Sequence, residues 1–143
     1  MPGLLPSMGH IRQANTSAVQ RMALTVCLKD WHAKPKARPR VTSRGTYMPG
    51  GYQDWLNETR FLMQRELAGM PPASGKLAVR ILVQAPSKPR GDLDNLAGGI
   101  LDAGNHVIWP DDRFIYDLAI TYRKGHACIT IQVTQYEEAQ DGT

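Results

Sequence analysis

Five carboxylates stand within residues 88–116, KPRGDLDNLAGGILDAGNHVIWPDDRFIY. Asp92 and Asp94 form one tight pair and Asp111 and Asp112 another. Asp102 lies in the apolar stretch between them. Carboxylates gathered at one point repel each other and persist there only by binding protons or a cation. Oxygen ligands without Cys or clustered His favour a hard ion, Mg²⁺ or Mn²⁺, over zinc. The four histidines, His10, His32, His106 and His126, show no zinc spacing. The chain's formal net charge is +4, which favours polyanionic partners. The chemistry these residue types suggest is metal-assisted attack on a phosphate ester.

Such chemistry needs elements that bring the two pairs together. Pro89 and Gly91 interrupt whatever precedes them. Leu93, Leu96, Ala97, Ile100, Leu101 and Gly104 then follow the period of an amphipathic helix. Asp92 falls at its N-cap and Asp94 and Asn95 in its first turn, where aspartates also satisfy free amides and the helix dipole. Gly104-Asn105 ends the helix. A helix of about 12 residues rises about 18 Å. Residues 105–110, if extended, return over roughly 18–20 Å and deliver Asp111 or Asp112 beside Asp92 and Asp94. Trp109 is expected in the core, and His106 in a structural or solvent role. The adjacent Gly98 and Gly99 cost the helix about 2 kcal/mol relative to alanines. They call for close packing, a flexible turn or a functional reason.

A basic arm precedes this region. Lys34, Lys36, Arg38 and Arg40 alternate with Pro35, Ala37, Pro39 and Val41, and Arg44 follows. No acidic residue occurs between Asp30 and Asp54. Prolines favour an extended backbone, where this spacing puts all four cations on one side. They would span about 20 Å, the reach of several phosphates. Tyr47 and Tyr52 are expected against sugars or bases. A solvated basic loop is the alternative, and the aspartates downstream favour phosphate binding.

The rest of the chain supplies a frame. A flexible tail over residues 1–19 and a polar tail over 137–143 flank one domain at 20–136. Alternation predicts strands from Met22 to Leu28, from Lys76 to Ala85, from Phe114 to Arg123 and from Ala127 to Gln135. The last two read as a hairpin around Lys124-Gly125. Asp54 is expected to cap a first helix with Leu56, Thr59, Met63 and Leu67 on its inner face. The order strand, helix, strand, helix, strand, strand predicts an α+β domain: a mixed β-sheet with two main helices on one face. An additional short strand near Val107-Ile108-Trp109 would fit. Cys27 and Cys128 fall in strands and read as buried, reduced thiols. No apolar run has the length of a membrane span, and the opening lacks the pattern of a secretory signal, so a cytoplasmic protein is expected.

The acidic motifs resemble the RusA family of Holliday junction resolvases. The resemblance lies in GDLDNL, an apolar helix with LDA, and W-x-DD: Asp92, Asp94, Asn95, Leu101-Asp102-Ala103 and Asp111-Asp112. It extends more weakly over residues 24–133. It implies a Mg²⁺-dependent endodeoxyribonuclease that cuts four-way DNA junctions as a homodimer, leaving 5′ phosphate and 3′ hydroxyl ends. The family's essential carboxylates correspond to Asp92, Asp94 and Asp112, with Asp111 as a further ligand or its supporting partner. Nucleoid association, in a bacterial or phage-infected cell, also follows from the resemblance. One departure stands out: the family's lysine, one turn after the second motif aspartate, is here Gly98. By sequence the nearest cations are Lys88, Arg90 and Arg113, read with the arm as DNA-binding. Two alternatives stay open. One is a junction-binding protein with weak or no cleavage; the other is a Mg²⁺ nucleotide phosphohydrolase.

Overall fold

The computed structural model of the protein describes residues 11–13, 22–48 and 50–138. Its main sheet is built on three strands whose apolar residues alternate: β2 (Met22–Lys29), β5 (Leu77–Ala85) and β7 (Cys128–Gln135). β7 runs antiparallel to both neighbours. The register aligns Leu28, Ile129 and Val83 in one row, Val26, Ile131 and Ile81 in the next, and Leu24, Val133 and Val79 in the third. All nine are buried, as expected when every second residue of a strand faces one covered side.

Two helices cover that side. α1 (Gly50–Leu67) buries Tyr52, Trp55, Leu56, Thr59, Met63 and Leu67. α2 (Leu93–Gly104) buries Leu96, Ala97, Ile100 and Ala103. Together with the sheet they close one apolar core. The fold is therefore the expected α+β domain, a mixed sheet with two main helices on one face. α1 begins at Gly50, four residues before the expected cap at Asp54, because Tyr52 is itself a core residue, 1% exposed.

The strand order is β1-β2-β7-β5-β6, where β1 is Ile11–Gln13 and β6 is Ile115–Lys124. β1 pairs with β2 inside the segment read as a tail. The remainder of that segment, residues 1–10 and 14–19, lies outside the described residues, as do residues 20–21, 49 and 139–143. The expected hairpin of β6 and β7 does not form. β5 lies between them, parallel to β6 and antiparallel to β7. Composition explains the order. β7 contributes Ile129, Ile131 and Val133, all fully buried, and so takes the centre. β6 carries Asp117, Arg123 and Lys124, charges that suit an edge open to water. A second ribbon, β3 (Arg40–Thr42) with β4 (Gly45–Tyr47), stands apart from the main sheet. It replaces the single extended arm expected there.

Candidate active site

The acidic region forms as predicted at its start. Asp92 has extended backbone angles at the N-cap of α2, yet its side chain makes no capping bond. Asp94, in the first turn, accepts the main-chain N–H of Asn95 at 3.0 Å. Both side chains are exposed.

The far end departs from expectation. Residues 105–109 do not extend back along α2 but fold into a tight turn at its C-terminal end. The Gly104 carbonyl accepts the N–H groups of Val107 at 3.0 Å and Ile108 at 2.8 Å. His106 takes a left-handed φ of 68°, and its N–H donates to the Trp109 carbonyl at 2.7 Å. The expected strand at Val107–Trp109 is thus a single isolated bridge between Asn105 and Trp109. The turn is held by Trp109, which is fully buried as predicted. Its indole N–H donates to Asn105 Oδ1 at 3.0 Å, and its ring occupies the space a β-carbon on Gly104 would need.

The second acidic pair follows directly. Asp111 caps a single 3₁₀ turn, Asp112–Phe114, through a 2.9 Å bond from the Arg113 N–H to its Oδ1. Asp112 is the first residue of that turn, and the turn packs against α2. The elements bearing the two pairs are therefore neighbours. Among the described residues, however, no three Asp, Glu, His or Cys side chains lie within reach of one metal ion. Nor does any of Asp92, Asp94, Asp111 or Asp112 join an ion pair there. Two exposed and two half-buried carboxylates, none in an ion pair among the described residues, are a donor set that suits a hard divalent ion in kind.

The basic arm is pinned across α2 rather than free in solvent. Trp55 of α1 donates its indole N–H to the His32 carbonyl at 2.9 Å, and Trp31 donates to Thr59 Oγ1 at 2.9 Å. The Lys36 N–H donates to the Asn95 carbonyl at 2.9 Å. Here the glycine pair has its reason, which is close packing. A β-carbon on Gly99 would collide with the Lys34 carbonyl oxygen, and one on Gly98 would press on the Lys36 stem at 3.3 Å. A β-carbon on Gly91, whose φ is 97°, would stand 3.1 Å from Pro35.

The cations consequently do not share one side as a strand would place them. Lys34 is half-buried, its Nζ lying near Gly51 at the start of α1. Lys36 Nζ turns to Asp102 Oδ1 at 3.3 Å. Arg38 is exposed, and so is Arg44 in the turn of the small ribbon; the side chains of Arg40 and Tyr47 lie outside the description. Lys88 and Arg90 are exposed on the loop into α2, where Lys88 Nζ donates to the Gly91 carbonyl at 2.9 Å. Arg113 is exposed, its guanidinium 5.0 Å from the Phe114 ring centre.

Tyr52 is not available to bases or sugars. It is buried, and its hydroxyl donates to Asp102 Oδ2 at 2.8 Å. Burial pushes its phenol well above the ordinary range, and the Asp102 carboxylate pushes it further. Arg60 Nη2 donates to the Asp102 carbonyl at 3.0 Å. Asp102 thus ties the arm, α1 and α2 at one point. Sequence reasoning noted Asp102 without this role; the neighbouring glycines were the signal that backbone crosses the helix there.

A family model for endodeoxyribonuclease RusA matches residues 30–134, about three quarters of the chain. The chain belongs to the RusA family. The match begins at the basic arm and ends in β7, so it spans both the arm and the acidic helix. Membership makes this RusA-family chain an endodeoxyribonuclease of the kind that resolves Holliday junctions. No curated protein matches the chain. No described helix is long and apolar enough to cross a membrane.

Proposed function

We propose that this RusA-family nuclease hydrolyses the phosphodiester with Mg²⁺, and that Asp92, Asp94 and Asp112 hold the ion with Asp111 beside them. Mn²⁺ would serve as a substitute. The observation that carries this reading is a set of four carboxylates, two exposed and two half-buried, none in an ion pair among the described residues, on two packed elements, α2 and the 3₁₀ turn. When bound, the ion neutralises the ester's charge, acidifies a water and stabilises the leaving 3′ oxygen. The chain's own part is positional. Asp92 is spared capping work, so its oxygens are free to bind. Asp94 presents its carboxylate from the first turn of a packed helix. Loading would require Asp112, on the half-buried 3₁₀ turn, to join Asp92 and Asp94 on one ion.

The exposed cations Arg38, Arg44, Lys88, Arg90 and Arg113 would supply the phosphate grip, with Lys34, Lys36 and Arg40 contributing from the arm. A four-way junction needs two opposed cuts, which a two-fold homodimer would provide. Sedimentation of the purified chain with and without junction tests that assembly. The chemistry is tested with Asp94→Asn on synthetic four-way junctions. Cleavage falls at least about 100-fold, since even groups that merely support a metal ligand reach that size, while binding in Ca²⁺ persists. Undiminished cleavage would refute the site. Titration with Mg²⁺ alone gives a second readout: the melting temperature rises in the unsubstituted chain and not in Asp94→Asn.

A further inference from the structure

Asp94, Gly98 and Asp102 stand four residues apart on α2, so they share one stripe of its surface. Lys36 lies across the middle of that stripe. Its Cβ and Cδ fall 3.3 Å from where a Gly98 β-carbon would be. Its backbone is fixed beside Asp94 by the 2.9 Å bond to the Asn95 carbonyl. Its Nζ reaches the far end of the stripe, 3.3 Å from Asp102 Oδ1. The near end, Asp94, has no cation among the described residues.

We propose that Lys36 is a catalytic residue of the nuclease, delivered onto α2 from the arm. With DNA in place, its ammonium leaves Asp102 and hydrogen-bonds a non-bridging oxygen of the scissile phosphate, which would lie beside Asp92 and Asp94. Half of the Lys36 side chain is exposed, and an ion pair so open to water holds its partner weakly. Asp102 does not become an orphan when the ammonium departs, because Tyr52 still donates to its other oxygen. One helical turn separates each end of the stripe from Gly98, about 6 Å along the axis. A lysine rooted over Gly98 can therefore serve either end. The glycine lets the stem lie this close, since a β-carbon at 98 would press on it at 3.3 Å and a long side chain would displace it. In the phosphoryl transition state charge builds on the non-bridging oxygens, and a fixed ammonium there stabilises it.

This rests on Asp92 and Asp94 being the cleavage site, and the experiment separates the two claims. Lys36→Met keeps the stem over Gly98 and removes only the charge. Its single-turnover cleavage of a four-way junction in saturating Mg²⁺ is expected to fall by about 100–1,000-fold, the range for losing one transition-state donor. Its junction Kd, measured in Ca²⁺, changes by less than about tenfold. In the double variant Lys36→Ala/Gly98→Lys the ammonium grows from the helix into the vacated space, and at least tenfold of the rate returns. Asp94→Asn is run beside them. Cleavage by Lys36→Met at the unsubstituted rate, with Asp94→Asn dead, would overturn the role of Lys36 alone. So would a loss confined to Kd, or a folded double variant without recovery. An active Asp94→Asn would overturn the site itself.

Discussion

The Tyr52 hydroxyl donates to Asp102 Oδ2 across 2.8 Å, joining the first turn of α1 to the last turn of α2. The bond is one link of a cluster that also holds Lys36 and Arg60. It gives a direct stability prediction. Tyr52→Phe keeps the ring in the core and deletes the donor, which costs about 1.5–3 kcal/mol, the range for a bond to a charged group. Urea unfolding measures it. The pH dependence has a definite sign. The phenol's folded pKa is raised above its ordinary value of 10.0. Its contribution is complete below that value and is lost as pH climbs toward the folded pKa. Above about pH 10 the unsubstituted chain therefore loses stability more steeply than Tyr52→Phe; parallel curves would contradict the bond.

Gly98 and Gly99 predict opposite outcomes from the same substitution. Gly99→Ala drives a β-carbon into the Lys34 carbonyl, which is backbone and cannot rotate aside. The overpacking cost of about 1–3 kcal/mol exceeds the gain of about 1 kcal/mol in helix propensity. Gly98→Ala meets only the flexible Lys36 stem at 3.3 Å, so its net effect lies within about 0.5 kcal/mol of zero or is stabilising. Denaturant midpoints of the two variants settle the comparison.

Cys27 and Cys128 lie on neighbouring strands with their sulfurs 3.4 Å apart, half-buried rather than fully enclosed. Burial, then the Cys27 hydrogen bond, pushes the Cys128 thiol above its ordinary range. Less thiolate is present at pH 8, so iodoacetamide modifies Cys128 more slowly than a free model thiol. Mass spectrometry of timed alkylation reads the rate, and labelling at the model rate would contradict the packing.

Junction binding should weaken steeply with salt. If about five of the exposed cations meet phosphates, log Kd changes with log salt at a slope of about 4.5 in magnitude. Removing Arg38 and Arg44 together lowers that slope by about two. An unchanged slope would take the arm out of the DNA interface.

Local signals in the sequence were sound where one side of an element is buried. The helical period from Leu93 to Gly104 and the alternation in β2, β5 and β7 appear as read. Partner choice was not legible. Alternation marks β6 and β7 as strands but cannot say that β5 slips between them; burial of Ile131 and the charges on β6 decide it. The compact turn at residues 105–109 was equally hidden. An apolar run such as His106-Val-Ile-Trp109 suits a strand, and only the fit of the Trp109 ring onto Gly104 closes it. The arm's path was half visible. Its charge could be counted, but its attachment to Asn95 joins residues far apart in sequence. Asp92, Asp94 and the second pair stood out by type and spacing. How near they come depends on that turn, which no local pattern encodes.

The attachment of Lys36 to Asn95 has a mechanical consequence. If DNA is gripped by the arm, the grip and the blade share one mounting, since the backbone bond to Asn95 and the packing of Lys34 against Gly99 fix the offset between them. Lengthening the arm by one residue after Lys36 would move the holding point along the duplex while leaving the cutting point still. The position of the nick relative to the branch is then a gauge built into the protein rather than a choice made by the DNA.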